Sequence, residues 1–188
     1  MKTSFKSILE DTPIIASIKD DAGLEKCLMT DIKVVFILYG DICNIGEIVK
    51  KIKKAGKVAM VHLDLIGGMS AREVALDYLK KNTEADGIIT TKGNLIKYAR
   101  QLGFYTILRF FAMDSMAISN IEKQLASTDP DVIEVLPGVM PKVIKKISKL
   151  SRVPVIAGGL ILDKEDVMTA LDNGAISVSA TGFDVWKC

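Results

Sequence analysis

Val155-Ile156-Ala157-Gly158-Gly159, followed by Ala175-Ile176-Ser177-Val178-Ser179-Ala180-Thr181-Gly182, reads as two short apolar strands one helix apart. The first ends in a double glycine, the second in small hydroxyl residues and a glycine. Glycine lets backbone N–H groups turn outward and approach an anion closely. A helix that starts after such a turn adds its positive end. In barrels of alternating strands and helices, a phosphate commonly binds at the loops after the last two strands. The pair therefore reads as a phosphate cradle built from Gly158, Gly159, Ser179 and Thr181. Two ordinary strand ends with tight turns are the plainer alternative.

Working back toward the N-terminus, similar apolar, β-branched runs recur about every 19 to 29 residues, at 13–18, 33–38, 57–63, 86–90, 105–109 and 132–136, before 154–157 and 175–179. Their apolar residues are near-continuous rather than alternating, as in parallel strands buried on both faces. Amphipathic segments lie between them, at 45–55, 70–81, 95–101, 115–127, 141–150 and 164–172. The segment at 70–81 opens with a Ser-x-x-Glu capping box, Ser70 to Glu73. Strand and helix alternating through short links imply right-handed βαβ units. The expected architecture is one α/β domain over residues 1–188, a (β/α)8 TIM-type barrel of minimal size with a short or missing last helix. Residues 5–10 are expected to cover the gap that the missing helix leaves. An open doubly wound sheet is the competing architecture.

The chain has 188 residues, 49% of them apolar, enough for one sizeable core and too many for a disordered chain. No apolar run approaches bilayer length, and Met1-Lys2-Thr3-Ser4-Phe5-Lys6 lacks the apolar core of a signal peptide. Cys27, Cys43 and Cys188 have no metal-type spacing. An odd set of cysteines argues for a reducing cytosol, so a cytoplasmic protein with no membrane partner is expected. The formal net charge of +2 gives no long-range attraction to nucleic acid.

The C-terminal ends of the strands carry Lys19, Asp64, Lys92, Arg109 and Glu134, each after an apolar run. Burying such groups without partners is costly. They read as a polar network around a ligand on the face where barrel sites lie; a salt-bridge ring closing the mouth is the alternative. Arg109 can clamp an oxyanion in two-pronged fashion, while Asp64 and Glu134 accept hydrogen bonds from hydroxyls. With the glycine cradle opposite, the pocket suits a small phosphorylated polyol. The same groups allow proton-transfer or Schiff-base chemistry with Lys19 or Lys92 as base or nucleophile, but no motif names a reaction and no catalytic residue is assigned. His62, two residues before Asp64, points deeper into the barrel as a core histidine. Asp64 and Glu134 alone are too few oxygen ligands for a metal, and no metal or cofactor is expected. Phe110, Phe111 and Trp186 read as core rather than as base-stacking residues. Lys50, Lys51, Lys53 and Lys54 form one basic stretch, and Lys142, Lys145, Lys146, Lys149 and Arg152 another; each is first read as a solvated helix face.

Taken in order, Ser17-Ile18-Lys19-Asp20, Gly40-Asp41-Ile42, His62-Leu63-Asp64-Leu65-Ile66-Gly67-Gly68, Asp86-Gly87-Ile88-Ile89-Thr90-Thr91-Lys92, Arg109-Phe110-Phe111-Ala112-Met113-Asp114-Ser115, Glu134-Val135-Leu136-Pro137-Gly138 and Ala157-Gly158-Gly159-Leu160-Ile161 resemble the glycerol-responsive antiterminator family of bacterial glycerol-uptake regulators, nearly end to end. The resemblance implies a barrel that senses glycerol 3-phosphate and binds leader messenger RNA, letting transcription pass a terminator. Lys19, Asp64, Lys92, Arg109, Glu134, Gly158 and Gly159 fall inside the matching motifs. The last motif departs: the family tends to a Ser-Thr-Ser run, and this chain reads Ser177-Val178-Ser179-Ala180-Thr181. With RNA as a partner, Lys142, Lys145, Lys146, Lys149 and Arg152 become the electrostatic candidates. An RNA surface completed across a homo-oligomer is the alternative. Leu65-Ile66-Gly67-Gly68 is expected to be a mobile loop beside the pocket. Against the regulator stand an enzyme acting on a small phosphorylated polyol, prenyltransferase-like or aldolase-like, and a phosphate-binding pseudoenzyme that meets only protein partners.

Overall fold

A computed structural model describes residues 4–188 of the chain; Met1, Lys2 and Thr3, part of the stretch read for a leader, lie outside the described residues. The strands are β1 (Ile14–Ile18), β2 (Val34–Ile37), β3 (Val58–His62), β4 (Gly87–Thr90), β5 (Tyr105–Phe111), β6 (Val132–Leu136), β7 (Val155–Gly158) and β8 (Ser177–Ala180). The helices are α1 (Phe5–Glu10), α2 (Asp21–Leu28), α3 (Ile45–Lys54), α4 (Glu73–Asn82), α5 (Gly93–Gln101), α6 (Ser115–Thr128), α7 (Pro141–Leu150) and α8 (Lys164–Asp172). All neighbouring strands pair in parallel, and β8 returns to β1 with Ile14 opposite Val178, which closes the barrel and excludes the open sheet.

Closure explains the continuous apolar runs. Alternate residues of each strand face opposite sides, and here both sides are buried. Ile15, Phe36, Met60, Ile89, Ile107, Val132 and Ile156 fill the barrel interior, while Ala16, Val35, Val61, Ile88, Leu108, Ile133 and Ala157 pack beneath the helices. No described helix is long and apolar enough to cross a membrane.

Residues 5–10 do form a helix, but it does not cover the flank left by the missing last helix. It plugs the floor of the barrel. Phe5 stacks on Tyr105 with ring centroids 4.8 Å apart, and Leu9 is fully buried in the interior cluster. Ser177 Oγ donates to the carbonyls of Leu9 and Thr12, at 3.1 and 2.8 Å, fixing the plug to the start of β8. The floor is where an apolar pair can be enclosed on all sides. The flank is covered by a 3-10 turn, Val185–Lys187, whose Val185 and Trp186 are buried and whose Trp186 Nε1 donates to Ala180 O at 2.7 Å. Trp186→Phe keeps the packing and removes that bond. It is expected to lower stability by about 1 kcal/mol in urea unfolding.

The Ser70 capping box does not form. Arg72 is extended and α4 begins only at Glu73, with no side-chain cap. The preceding loop is tied elsewhere: Gly67 N donates to Gly40 O and Ile42 N to Gly67 O, both at 2.9 Å, so the stretch expected to be mobile is stitched to the β2–α3 loop. Helix α2 escaped the sequence reading because it buries just Leu24 and Cys27; its start is secured by Asp20, whose side chain accepts from Gly23 N at 2.6 Å.

Candidate functional site

The β5–β6 register places Arg109 opposite Glu134, both buried and both on the inward face. Arg109 Nε donates to Glu134 Oε2 at 2.6 Å, and Ser179 Oγ, reaching from β8, donates to Oε1 at 2.6 Å. Glu134 thus spans the interior from β5 to β8, passing over β7. A Cβ built on Gly158 would lie 2.5 Å from both Glu134 Oε1 and Ser179 Oγ, so the glycine clears room for this network. That differs from the role expected for it as a backbone donor to an anion. Gly158→Ala is expected to displace the Glu134–Ser179 bond and cost about 1–3 kcal/mol in thermal or urea unfolding.

Above the network lies a cavity of about 250 Å³ lined by Arg109, Glu134, Ser179, Thr181, Gly159 and Ser17, with Leu38, Leu136, Leu160, Ile161 and Leu162 as apolar walls. Glu134 holds Arg109 at Nε, and the two terminal amines carry no hydrogen bond among the described residues. A guanidinium locked at one nitrogen offers a rigid fork to an incoming anion. The turn after β7 is tight: Gly159 has φ +77° and Leu160 φ +61°, a left-handed conformation that leucine adopts only at a cost. The turn is pinned by Gly138 N, which donates to Gly159 O at 3.0 Å.

Arg109, Glu134, Gly159, Ser179 and Thr181 therefore come together, with Gly158 directly beneath. The remaining expected residues stand apart. Lys19 lines an adjoining recess of about 170 Å³ that shares Ser17 and Thr181 with the main cavity. Lys92 is exposed at the start of α5. Asp64 is committed to the end of β4, accepting from Thr90 Oγ1 at 2.7 Å, Thr91 N at 2.7 Å and Thr91 Oγ1 at 2.8 Å. Burial would raise its pKa, but those hydrogen bonds and nearby His62 hold it below the usual carboxylate value. Ser17 and the Leu160–Leu162 wall escaped the sequence reading. Ser17 was legible as an inward residue two before Lys19; the wall had no signal beyond the double glycine that turns it over the mouth. Among the described residues, no group of three His, Cys, Asp or Glu side chains could hold a metal.

His62 is buried in the interior, and its Nδ1 has no hydrogen-bond partner among the described residues. Burial first, and the Arg109 guanidinium second, push its pKa down to about 4. Between pH 6.5 and 4 the unfolded chain binds a proton that the folded chain refuses, so stability falls as pH drops through that window. The expected loss is of order 3 kcal/mol. Urea unfolding at several pH values should show that slope in the wild type and not in His62→Asn; Asp64, whose folded pKa is depressed, loses its contribution only at lower pH. A flat wild-type profile between pH 6.5 and 4 would contradict the assignment.

The two basic stretches differ sharply. On α3, Lys50, Lys51 and Lys53 pair with Glu47, Glu25 and Asp86, at 3.6, 3.2 and 2.6 Å. On α7, Lys142, Lys145, Lys146 and Lys149 fall at helical spacing on one exposed stripe, with exposed Arg152 beyond, and none is in an ion pair among the described residues.

A family model described as glycerol-3-phosphate responsive antiterminator matches residues 14–186. The Escherichia coli (strain K12) protein YgcP is 47% identical over 179 residues, spanning 95% of this chain and 94% of that protein. A glycerol uptake operon antiterminator regulatory protein from Listeria monocytogenes, known from its crystal structure, is 33% identical and superposes with a TM-score of 0.89 over 93% of this chain and 94% of its own. A glycerol uptake operon antiterminator-related protein from Thermotoga maritima is 35% identical, with a TM-score of 0.83 over 94% of this chain and 99% of its own.

Proposed function

The chain belongs to the glycerol-3-phosphate responsive antiterminator family, and from that premise we propose that its mouth cavity receives glycerol 3-phosphate and that occupancy governs its hold on a leader messenger RNA. The observation that carries this reading is the Arg109–Glu134–Ser179 network, which aims the free end of a buried guanidinium into a small cavity at the β7 and β8 ends. The phosphate would meet the terminal amines of Arg109, the Gly159 N–H and the Thr181 hydroxyl. The three-carbon chain would lie against Leu38, Leu136 and Ile161, and Ser17 could accept or donate to a hydroxyl. The aldolase-like alternative asks for a lysine in the cavity, and its lining contains none.

RNA is proposed to lie along the α7 stripe. Phosphate neutralisation releases counterions, so affinity for a single strand falls with salt at a log–log slope of about −0.7 per contact. Full use of the four α7 lysines predicts a slope near −2.8 on that basis. Lys145→Gln with Lys146→Gln should reduce its magnitude by about 1.4, whereas Lys51→Gln with Lys53→Gln should leave it unchanged. The effector must bind the RNA-competent state better than the other, so RNA must tighten glycerol 3-phosphate by the same factor. Filter binding of leader RNA with and without glycerol 3-phosphate tests the coupling. Equal affinities would contradict it.

A further inference from the structure

We infer that a second cavity, remote from the mouth, is a pocket for one unpaired guanine of the bound RNA, an inference that rests on the RNA-binding reading above. The cavity holds about 470 Å³ between the C-terminal ends of α6 and α7. Leu125, Pro130, Leu150 and Val153 give it an apolar lining, and Leu150 stays 43% exposed there. Arg152, the last cation beyond the α7 stripe, is itself one of its lining residues, so a strand whose phosphates follow Lys142 to Lys149 is delivered to it.

The polar groups of this cavity select a base rather than a phosphate. Asp129 is occupied by Arg100. Glu122 and Arg152 have no hydrogen-bond or ion-pair partner among the described residues, and both are exposed. A free carboxylate repels a phosphate, but it accepts two adjacent N–H groups. A free guanidinium donates to a carbonyl and a ring nitrogen. Guanine alone among the four bases carries that pair of edges: N1–H and N2–H for Glu122, O6 and N7 for Arg152. Unpaired RNA bases are commonly read in this way, splayed out onto a side-chain pocket.

The test uses the full chain with two single-stranded RNAs of equal length, one all uridine and one with a central guanosine. The wild type should bind the guanosine RNA at least about fivefold tighter, the lower end of what one bidentate base contact supplies. Glu122→Gln and Ala126→Trp, both at exposed positions, should remove that preference while keeping the uridine affinity and its salt slope. Free guanosine, which has no phosphate, should shift the methyl resonances of Leu125, Leu150 and Val153, and uridine should not. Salt-dependent binding of both RNAs with equal affinity would overturn the guanine pocket and leave the RNA reading standing. Binding of neither RNA would overturn both.

Discussion

Arg109→Lys should weaken glycerol 3-phosphate binding about 100-fold in a calorimetric titration, while circular dichroism and the unfolding midpoint stay near wild type. The fold survives because the ammonium can still pair with Glu134 in the interior. The ligand is lost because one ammonium cannot hold Glu134 and also present two parallel N–H donors to a phosphate. Each charge-assisted bond is worth about 1.5–3 kcal/mol, and losing the fork costs roughly two such contacts less what the ammonium retains, near 3 kcal/mol or about 100-fold. Wild-type affinity in this variant would mean that the phosphate does not lie on Arg109.

Glu134→Ala is expected to give the largest loss of stability. Glu134 is fully buried, and it is the acceptor for Arg109 and for Ser179. Removing it leaves a buried guanidinium without its counter-charge and a buried hydroxyl without its acceptor. Breaking one side of a buried pair costs about 3–5 kcal/mol, which lowers the midpoint of a chain of this size by about 10 °C. Replacing both partners, as Arg109→Met with Glu134→Leu, should recover most of that loss, yet bind no glycerol 3-phosphate. The double variant separates the two roles of the network: the fold tolerates an apolar pair, and the effector does not. A Glu134→Ala protein as stable as the wild type would show that Arg109 finds another partner.

The barrel was legible because a parallel strand buried on both faces leaves its mark in every residue, as in Ile14–Ile18 and Val132–Leu136. Helix α7 was legible to the residue, with Pro141 at its first turn and Ile144 and Ile147 facing in. Contacts between distant segments were not. Nothing local shows that Phe5 meets Tyr105 across the barrel floor, and the Ser70–Glu73 pattern gives no hint that Gly67 is bonded to Gly40. The ionisable strand ends were found by position, but position alone does not separate Glu134, which faces the interior, from Asp64, which is consumed by Thr90 and Thr91. The room that Gly158 leaves for the network was not legible, since the side chains that need its missing Cβ come from β6 and β8.

The most direct measurement is a crystal structure of the protein soaked with glycerol 3-phosphate. The phosphate is predicted at the ends of β7 and β8, its oxygens within hydrogen-bond reach of the Arg109 terminal amines and the Gly159 N–H, and the Arg109–Glu134 bond intact. A phosphate held on the α7 lysines with the mouth cavity filled by water alone would contradict the sensor role proposed for that cavity.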